Sequence, residues 1–301
     1  MRILVTGGSG FIGRWVVEAL RKKHADVFVC TRTPSRVTDV AGDLLQLDAP
    51  ETLVAKVRPD IIVHAAWCVE PDRFWFTPAN LDWGAVTLRL ARVAAEMGVR
   101  RFVGIGTCFE YDWPIEGQCC EATTPIRPTT LYATTKDSVR RVIQEYAKGG
   151  GFEFAWARLF YLFGPYEHPK RLVASVASRL ARNLPAPLSS GTAVRDFMDV
   201  RDAGAAVAAL ALSSVTGAVN IGSGEATKVI DLARQLQAIA GGTGQLQIGG
   251  WPDRAEEPAR IVADVFRLRD EVGFKPAASL SERLQETFHW WQRQLTSELQ
   301  L

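Results

Sequence analysis

The first 23 residues constrain the fold more than any other stretch. "RILVT" (2–6) is apolar without alternation, "GGSGFIG" follows at 7–13, and "FIGRWVVEALRKK" (11–23) has helical spacing, with Ile12, Val16, Ala19 and Leu20 on one side. Gly7, Gly10 and Gly13 are therefore spaced G-x-x-G-x-x-G at a strand-to-helix turn. One such glycine permits a tight turn, another lets the backbone approach a pyrophosphate, and the third lets helix pack on strand. The N–H groups that open the helix face the same phosphates. This head of the chain predicts a dinucleotide site with Gly7, Gly10, Phe11, Ile12 and Gly13 as cofactor contacts.

The alternation continues. "DVFVCT" (26–31), "DIIVHAA" (60–66), "RFVGIGT" (101–107) and "FEFAWARL" (152–159) read as buried strands, and 50–57, 78–98 and 130–150 as helices between them. Apolar, non-alternating strands separated by helices mean a parallel sheet covered on both faces. The expected class is α/β, a doubly wound parallel sheet (Rossmann fold). After residue 160 the pattern changes. "YLFGPYEHP" (161–169) is turn-rich, a helix fits 171–183, and "NLPAPLSSG" (183–191) is Pro-rich. A strand is expected at 193–200, helices at 201–212, 227–240 and 279–297, and a loop at "GGTG" (241–244). The expected division is a dinucleotide-binding domain over 1–165, to which 193–216 returns, and a smaller mixed α/β substrate domain over 166–301.

Composition narrows the function classes. Of 301 residues, 47% are hydrophobic and 23% charged, with a net charge of +2. That is the profile of a soluble globular protein, with no general nucleic-acid or membrane surface. No apolar run approaches the ~18 residues of a membrane span, and no signal peptide is expected, since one would need a longer apolar stretch and a cleavage site. Five cysteines, an odd number with no C-x-x-C, point to reduced thiols in a cytoplasm. His24, His64, His168 and His289 lack ligand spacing, so no metal is expected. Trp67, Trp75 and Trp83 fit core or pocket walls better than a base-stacking platform.

The end of the second strand normally reads the adenosine ribose, with an acid for a 2′-hydroxyl and a basic residue for a 2′-phosphate. In "VCTRTPSR" (29–36) Arg32 follows the strand and Arg36 is near, and no Asp or Glu lies between Val27 and Thr38. NADP(H) is the expected cofactor, with NAD(H) as the alternative. Asp43 and Leu44 are candidates to sit beside the adenine. "YATTK" places Tyr132 and Lys136 four apart on one helix face. A phenol titrates near ~10, and a neighbouring ammonium favours the phenolate and moves that value down. Thr107 ends a strand at the edge where ligands bind in such sheets, and its hydroxyl can hold a substrate oxygen.

"TGGSGFIG", "HAA" (64–66), Asn80 in "NLDWG", "GT" (106–107), "YATTK", "RLFYLFGP" (158–165), "RDFMDVRD" (195–202) and "NIGSGE" (220–225) occur together and in order. This set resembles the extended short-chain dehydrogenase/reductase family, of NAD-dependent epimerase/dehydratase type, which includes nucleotide-sugar epimerases, dehydratases and ketoreductases. The resemblance implies a Rossmann domain, a smaller substrate domain and a Thr–Tyr–Lys site. Thr107 would hold the sugar oxygen, Tyr132 exchange the proton, and Lys136 tune Tyr132 and bond the nicotinamide ribose. Ala65 and Ala66 would border the cofactor. Arg195 resembles the arginine that grips the nucleotide diphosphate, and Arg254 is a second candidate for that task. The helices at 78–98 and 130–148 would form a homodimer contact.

Departures from the family pattern select a reaction. Dehydratases carry Asp-Glu after the catalytic Thr, and those carboxylates remove water. Cys108 and Phe109 stand there, and Glu110, one residue on, is read as a packed or solvated carboxylate. Tyr161 replaces an Asn that meets the sugar diphosphate in epimerases. His168 and Arg171 in "YEHPKRL" are candidates to line the sugar pocket with Cys108, Phe109 and Tyr161. The expectation is NADPH-dependent reduction of a nucleotide-linked 4-keto-deoxysugar. The alternatives are a nucleotide-sugar 4-epimerase that retains NAD, and an NADP-sensing binding protein on the same fold.

Overall fold

The computed structural model describes residues 1–114, 116–242, 245–253 and 258–298. In chain order the first elements are β1 (Arg2–Thr6), α1 (Gly13–Lys22), β2 (Asp26–Thr31), β3 (Asp39–Ala41), α2 (Ala49–Val57), β4 (Ile61–His64), α3 (Ala79–Glu96), β5 (Arg101–Thr107), α4 (Leu131–Gly150) and β6 (Glu153–Leu159). There follow β7 (Tyr161–Phe163), α5 (Leu172–Ala181), β8 (Ala186–Leu188), β9 (Val194–Arg195), β10 (Phe197–Asp199), α6 (Val200–Leu212) and β11 (Gly217–Ile221). Last come β12 (Thr227–Lys228), α7 (Val229–Ile239), β13 (Leu246–Ile248), β14 (Arg260–Ile261) and α8 (Leu280–Glu298).

Seven strands form the main sheet in the order β3-β2-β1-β4-β5-β6-β11, every pair parallel. The order reverses between β1 and β4, so a crevice opens there at the carboxyl edge. Alternate residues feed opposite faces. Ile3, Val5, Ile61, Val63, Val103 and Ile105 pack with α1 and α6, whereas Leu4, Ile62, Phe102, Phe154 and Trp156 pack with α2, α3 and α4. Covering both faces explains why these strands read as continuous apolar runs. A third apolar core gathers α5, α7 and α8 with β8 and Phe197.

The predicted strand at 193–200 is two strands. β9 pairs with β12 and β14, and β10 pairs with β7. Between them Asp196 is fully buried, and its carboxylate accepts bonds from Ser223 N and Oγ (both 2.7 Å), Gly224 N (2.9 Å) and Ala263 N (3.1 Å). This carboxylate fixes the point at which the chain changes sheets. The stretch 161–169 is turn-rich as expected but opens with β7. β11 follows α6 and forms the sheet's edge beside β6. Of "GGTG", residues 243 and 244 lie outside the described residues. Among the described residues, no helix is long and apolar enough to cross a membrane.

α6 lies against α1 at close range. A Cβ on Gly204 would stand 2.4 Å from Trp15 Cβ and 2.7 Å from the Trp15 carbonyl carbon. α8 is tied to α6 by Arg283, whose Nε and Nη2 each donate to the Asp202 carboxylate at 2.8 Å. Gly204→Ala forces α6 away from α1, and such overpacking costs about 1–3 kcal/mol. A lower urea midpoint with an unchanged m value is the expected result.

Candidate active site

A cleft of about 1250 Å³ runs along the carboxyl edge of the sheet. At one end stands the glycine turn. Gly7 has φ +68°, and a Cβ there would lie 2.6 Å from Ala66 N and 2.7 Å from the Ala65 carbonyl carbon, so the turn presses on the end of β4. A Cβ on Gly13 would lie 2.0 Å from Gly7 O, so α1 starts hard against the turn. Gly10 N donates to Gly7 O at 2.9 Å. At these positions only glycine lets strand, turn and helix close on one another, and the tight turn with its free N–H groups fits a bound pyrophosphate. Phe11, Ile12, Arg32, Asp43, Leu44, Ala65 and Ala66 line the same end with the three glycines.

Arg36 does not join them. Ser35 N and Arg36 N both donate to the Asp39 carboxylate (2.8 and 2.9 Å), and this turn carries Arg36 out of the cleft, beside Arg21. Beneath the crevice lies a buried chain of hydroxyls and imidazole. Thr87 Oγ1 donates to Trp83 O (2.6 Å), so His64 Nε2 carries its ring proton toward Thr87 (2.8 Å), and Nδ1 accepts from Thr6 Oγ1 (2.7 Å). Burial, and then the charge of Lys136, push His64 down to about 3, so it is neutral.

At the other end β5 and α4 bring Thr107, Tyr132 and Lys136 together, all buried and all lining the cleft. Thr130 caps α4 by accepting from Ala133 N at 3.2 Å, which sets Tyr132 in the first turn. The Tyr132 phenol lies near enough to the Thr107 side chain for that hydroxyl to favour the phenolate. Lys136 Nζ donates to Ile105 O at 2.8 Å and stands 3.6 Å over the Trp67 ring. Burial pulls Lys136 down to about 7, against the pull of Glu110 upward. The expected lowering of Tyr132 is reversed here. Burial pushes the phenol above its ordinary value and Glu110 adds to this, whereas the Thr107 side chain and Arg171 oppose it. Lys136 Nζ is 6.0 Å from the Tyr132 ring centroid and loses much of its own charge to burial, so desolvation outweighs it.

Glu110 is buried and fully engaged. Its carboxylate accepts from Thr107 N (3.0 Å), Trp156 Nε1 (2.9 Å) and Arg158 Nε (2.7 Å). Thr107 Oγ1 in turn accepts from Phe109 N at 3.3 Å, so Thr107 and Glu110 close a capping box around the short turn at 108–110. The T-x-x-E spacing at 107–110 is the sequence signal that identifies this box. Gly104 and Gly106 make room for the Trp156 ring, since a Cβ on either would lie 2.4 Å or less from it. Cys108 is buried and its thiol is pushed well up by that burial, which makes it a wall rather than a nucleophile.

The remaining candidates divide. Phe109, Tyr161, Arg171 and Arg195 line the cleft, and the Arg195 guanidinium carbon stands 5.5 Å from the centre of the Tyr161 ring. His168 does not line it. His168 is exposed, and its Nδ1 accepts from Lys170 N at 3.2 Å, which turns the ring toward its own loop. Arg254 lies outside the described residues. Sequence reasoning passed over Glu167. It is buried, lines the cleft, has an unbonded Oε2, and burial pushes its carboxyl up to about 8. No spacing in the sequence marks it.

The model of the NAD dependent epimerase/dehydratase family matches residues 3–222. The dTDP-glucose 4,6-dehydratase of Streptomyces niveus is 28% identical over 315 residues, covering 97% of this chain and 93% of that protein. The UDP-glucose 4-epimerase of Neisseria meningitidis serogroup C is 25% identical over 334 residues, covering 96% of each. Among solved structures, the UDP-glucose 4-epimerase of Thermus thermophilus in complex with NAD superimposes with a TM-score of 0.84 at 26% identity, over 97% of this chain and 99% of that one.

Two outcomes test this geometry. Glu110→Gln leaves Arg158 buried without its countercharge, and breaking such a pair costs about 3–5 kcal/mol; thermal unfolding should show the loss. The raised Glu167 carboxyl makes the folded state bind more protons than the unfolded state between its ordinary value and about 8. Stability therefore falls as pH rises through that window. Glu167→Gln removes this slope, so the variant's Tm should gain on the parent's between pH 5 and pH 8.

Proposed function

Because the chain belongs to the NAD dependent epimerase/dehydratase family, we propose that it is an NADPH-dependent reductase of a 4-keto-deoxysugar carried on a nucleotide. The observation that carries this reading is the state of the acid: Tyr132 is a buried phenol beside Thr107, with burial favouring its protonated form. A phenol that keeps its proton at neutral pH is suited to donate it to a developing alkoxide. Dehydration is disfavoured because Cys108 is an apolar wall, Phe109 has no proton to exchange, and the Glu110 carboxylate is spent on Arg158, Trp156 and the Thr107 backbone.

In this reading Thr107 Oγ1 and Tyr132 Oη bracket the carbonyl oxygen. The bound dinucleotide supplies the hydride. As the carbonyl carbon gains that electron pair, Tyr132 gives its proton to the oxygen and the product is a secondary alcohol. Lys136, already reduced in basicity, stabilises the phenolate left behind and can bond a ribose hydroxyl. Arg195 and Arg171 supply positive charge toward the substrate's diphosphate and sugar. Support for NADPH over NADH comes from Arg32, which lines the adenosine end of the cleft without an acid from the end of β2. The protein is further proposed to be a cytoplasmic homodimer.

A second reading has an observation in its favour. The relatives with curated names include a UDP-glucose 4-epimerase, and the Thermus thermophilus structure holds NAD. An epimerase would use the same Thr107, Tyr132 and Lys136 with a cofactor that never leaves. Denaturing the purified protein and identifying the released dinucleotide separates the two: NAD without NADP overturns the NADPH reading. Consumption of NADPH with nucleotide-linked 4-keto sugars is the direct test. Tyr132→Phe should cut turnover by about 10²–10⁴-fold while dinucleotide binding persists. Arg32→Glu should weaken NADPH binding by roughly tenfold or more relative to NADH, since it replaces a charge-assisted contact with a repulsion.

A further inference from the structure

On the side of Tyr132 that faces residues 67–75 the cleft wall is built of rings, and the Arg171 guanidinium carbon stands 6.0 Å from the centre of the Phe74 ring. Phe74 meets the Tyr132 ring edge-on at 4.9 Å, Trp75 at 6.0 Å and Trp67 at 6.4 Å. Phe109 packs edge-on against Trp75 at 4.7 Å and lies 6.1 Å from Tyr161. All of these rings line the cleft. The polar atoms that come with them are largely committed to holding the wall together. Asn80, itself fully buried, spends its amide on this one segment: Oδ1 accepts from Trp67 Nε1 (2.9 Å), and Nδ2 donates to Phe74 O (2.7 Å) and Thr77 O (3.0 Å). Trp75 O accepts from Tyr132 N at 3.0 Å, which ties the box to the catalytic helix.

A sugar bound with its reacting oxygen between Thr107 and Tyr132 presents a neighbouring carbon to these rings. A hydroxyl there would be stripped of water and offered carbon. A methyl there would be buried against aromatic faces. We infer that the ring box of Trp67, Phe74, Trp75 and Phe109 is a selectivity filter for a sugar whose carbon next to the reacting centre carries a methyl group in place of a hydroxymethyl. The inference rests on the nucleotide-sugar reading above and assigns its deoxy preference to named residues. Phe109 is the key position. It follows Thr107 by two residues, its backbone N–H bonds the Thr107 hydroxyl, and its side chain lines the cleft.

The test is a ratio of affinities. Binding of UDP- and dTDP-linked 6-deoxyglucose and of the matching UDP- and dTDP-glucose is measured by calorimetry in the presence of saturating NADP. The 6-deoxy compound should bind at least tenfold tighter within a nucleotide series. Phe109→Gln and, separately, Trp75→Gln supply a hydrogen-bonding group to the wall and should collapse that ratio toward one. NADP affinity, measured on the same samples, should stay near the parent value and certifies the fold. Equal affinity for the two sugars in the parent protein overturns the filter, and so does a ratio that both variants retain. If the sugars bind equally while NADPH is still consumed with a 4-keto sugar, the filter falls alone and the reductase stands. If neither sugar binds while NADP does, the nucleotide-sugar reading falls and takes the filter with it.

Discussion

The buried carboxylate of Glu110 holds the catalytic end of the molecule together. It neutralises Arg158, which is buried on the next strand, and it accepts from the Trp156 indole and the Thr107 amide. Arg158 passes the network on to the Tyr111 hydroxyl at 2.9 Å, and Tyr111 donates to Asn220 Oδ1 at 2.8 Å. One connected set of polar groups thus ties the end of β5 to β6 and to β11. Such a set is costly when half satisfied and specific when complete. Here it is complete around Thr107, and the hydroxyl that faces the cleft sits on a backbone with nowhere else to go. The two glycines of "VGIGT" belong to the same device, because they clear the space for the ring that reaches Glu110.

What was legible in the sequence follows from whether a function is carried by local backbone or by distant side chains. The glycine turn is local: three glycines within seven residues specify a shape, and the shape is what the structure contains. Tyr132 and Lys136 are local too, being one helical turn apart. Glu110 was legible only in part. Its capping of Thr107 is a four-residue pattern, but its ion pair and indole partner lie 48 and 46 residues away, and no spacing announces them. Arg36 and His168 failed for the opposite reason. Each is near a motif in sequence, but a side chain–backbone turn at Asp39 or Lys170 points it elsewhere. The split of 193–200 has the same origin as Glu110: Asp196 takes its bonds from residues 223, 224 and 263, far along the chain.

Phe109 shows how a missing group carries information. Read in sequence, it was the absence of a carboxylate. In the structure it is a ring among rings, part of a wall that Asn80 pins in place. The same residue that removes one chemistry therefore contributes to the shape of the cleft. Cys108 beside it faces buried groups that include Cys119 and the Asp196 carboxylate, and its burial keeps the thiol protonated.

The catalytic end then owes its chemistry to desolvation more than to any one neighbour. Burial disfavours charge on both partners: it raises the Tyr132 phenol and lowers Lys136. In so poorly hydrated a space a new charge is felt more strongly than it would be in water. A cation within these walls weakens the phenol's hold on its proton. The pair is thus poised with the proton on Tyr132, and the charged form of Lys136, pulled down to about 7, would stabilise the phenolate once that proton has been given up. A carboxylate in place of Phe109 would undo that balance, because a second negative charge beside Tyr132 would raise the phenol further and oppose release. The aromatic wall and the protonated phenol are therefore one arrangement: the rings that pack on Tyr132 are part of the burial that keeps its proton in place.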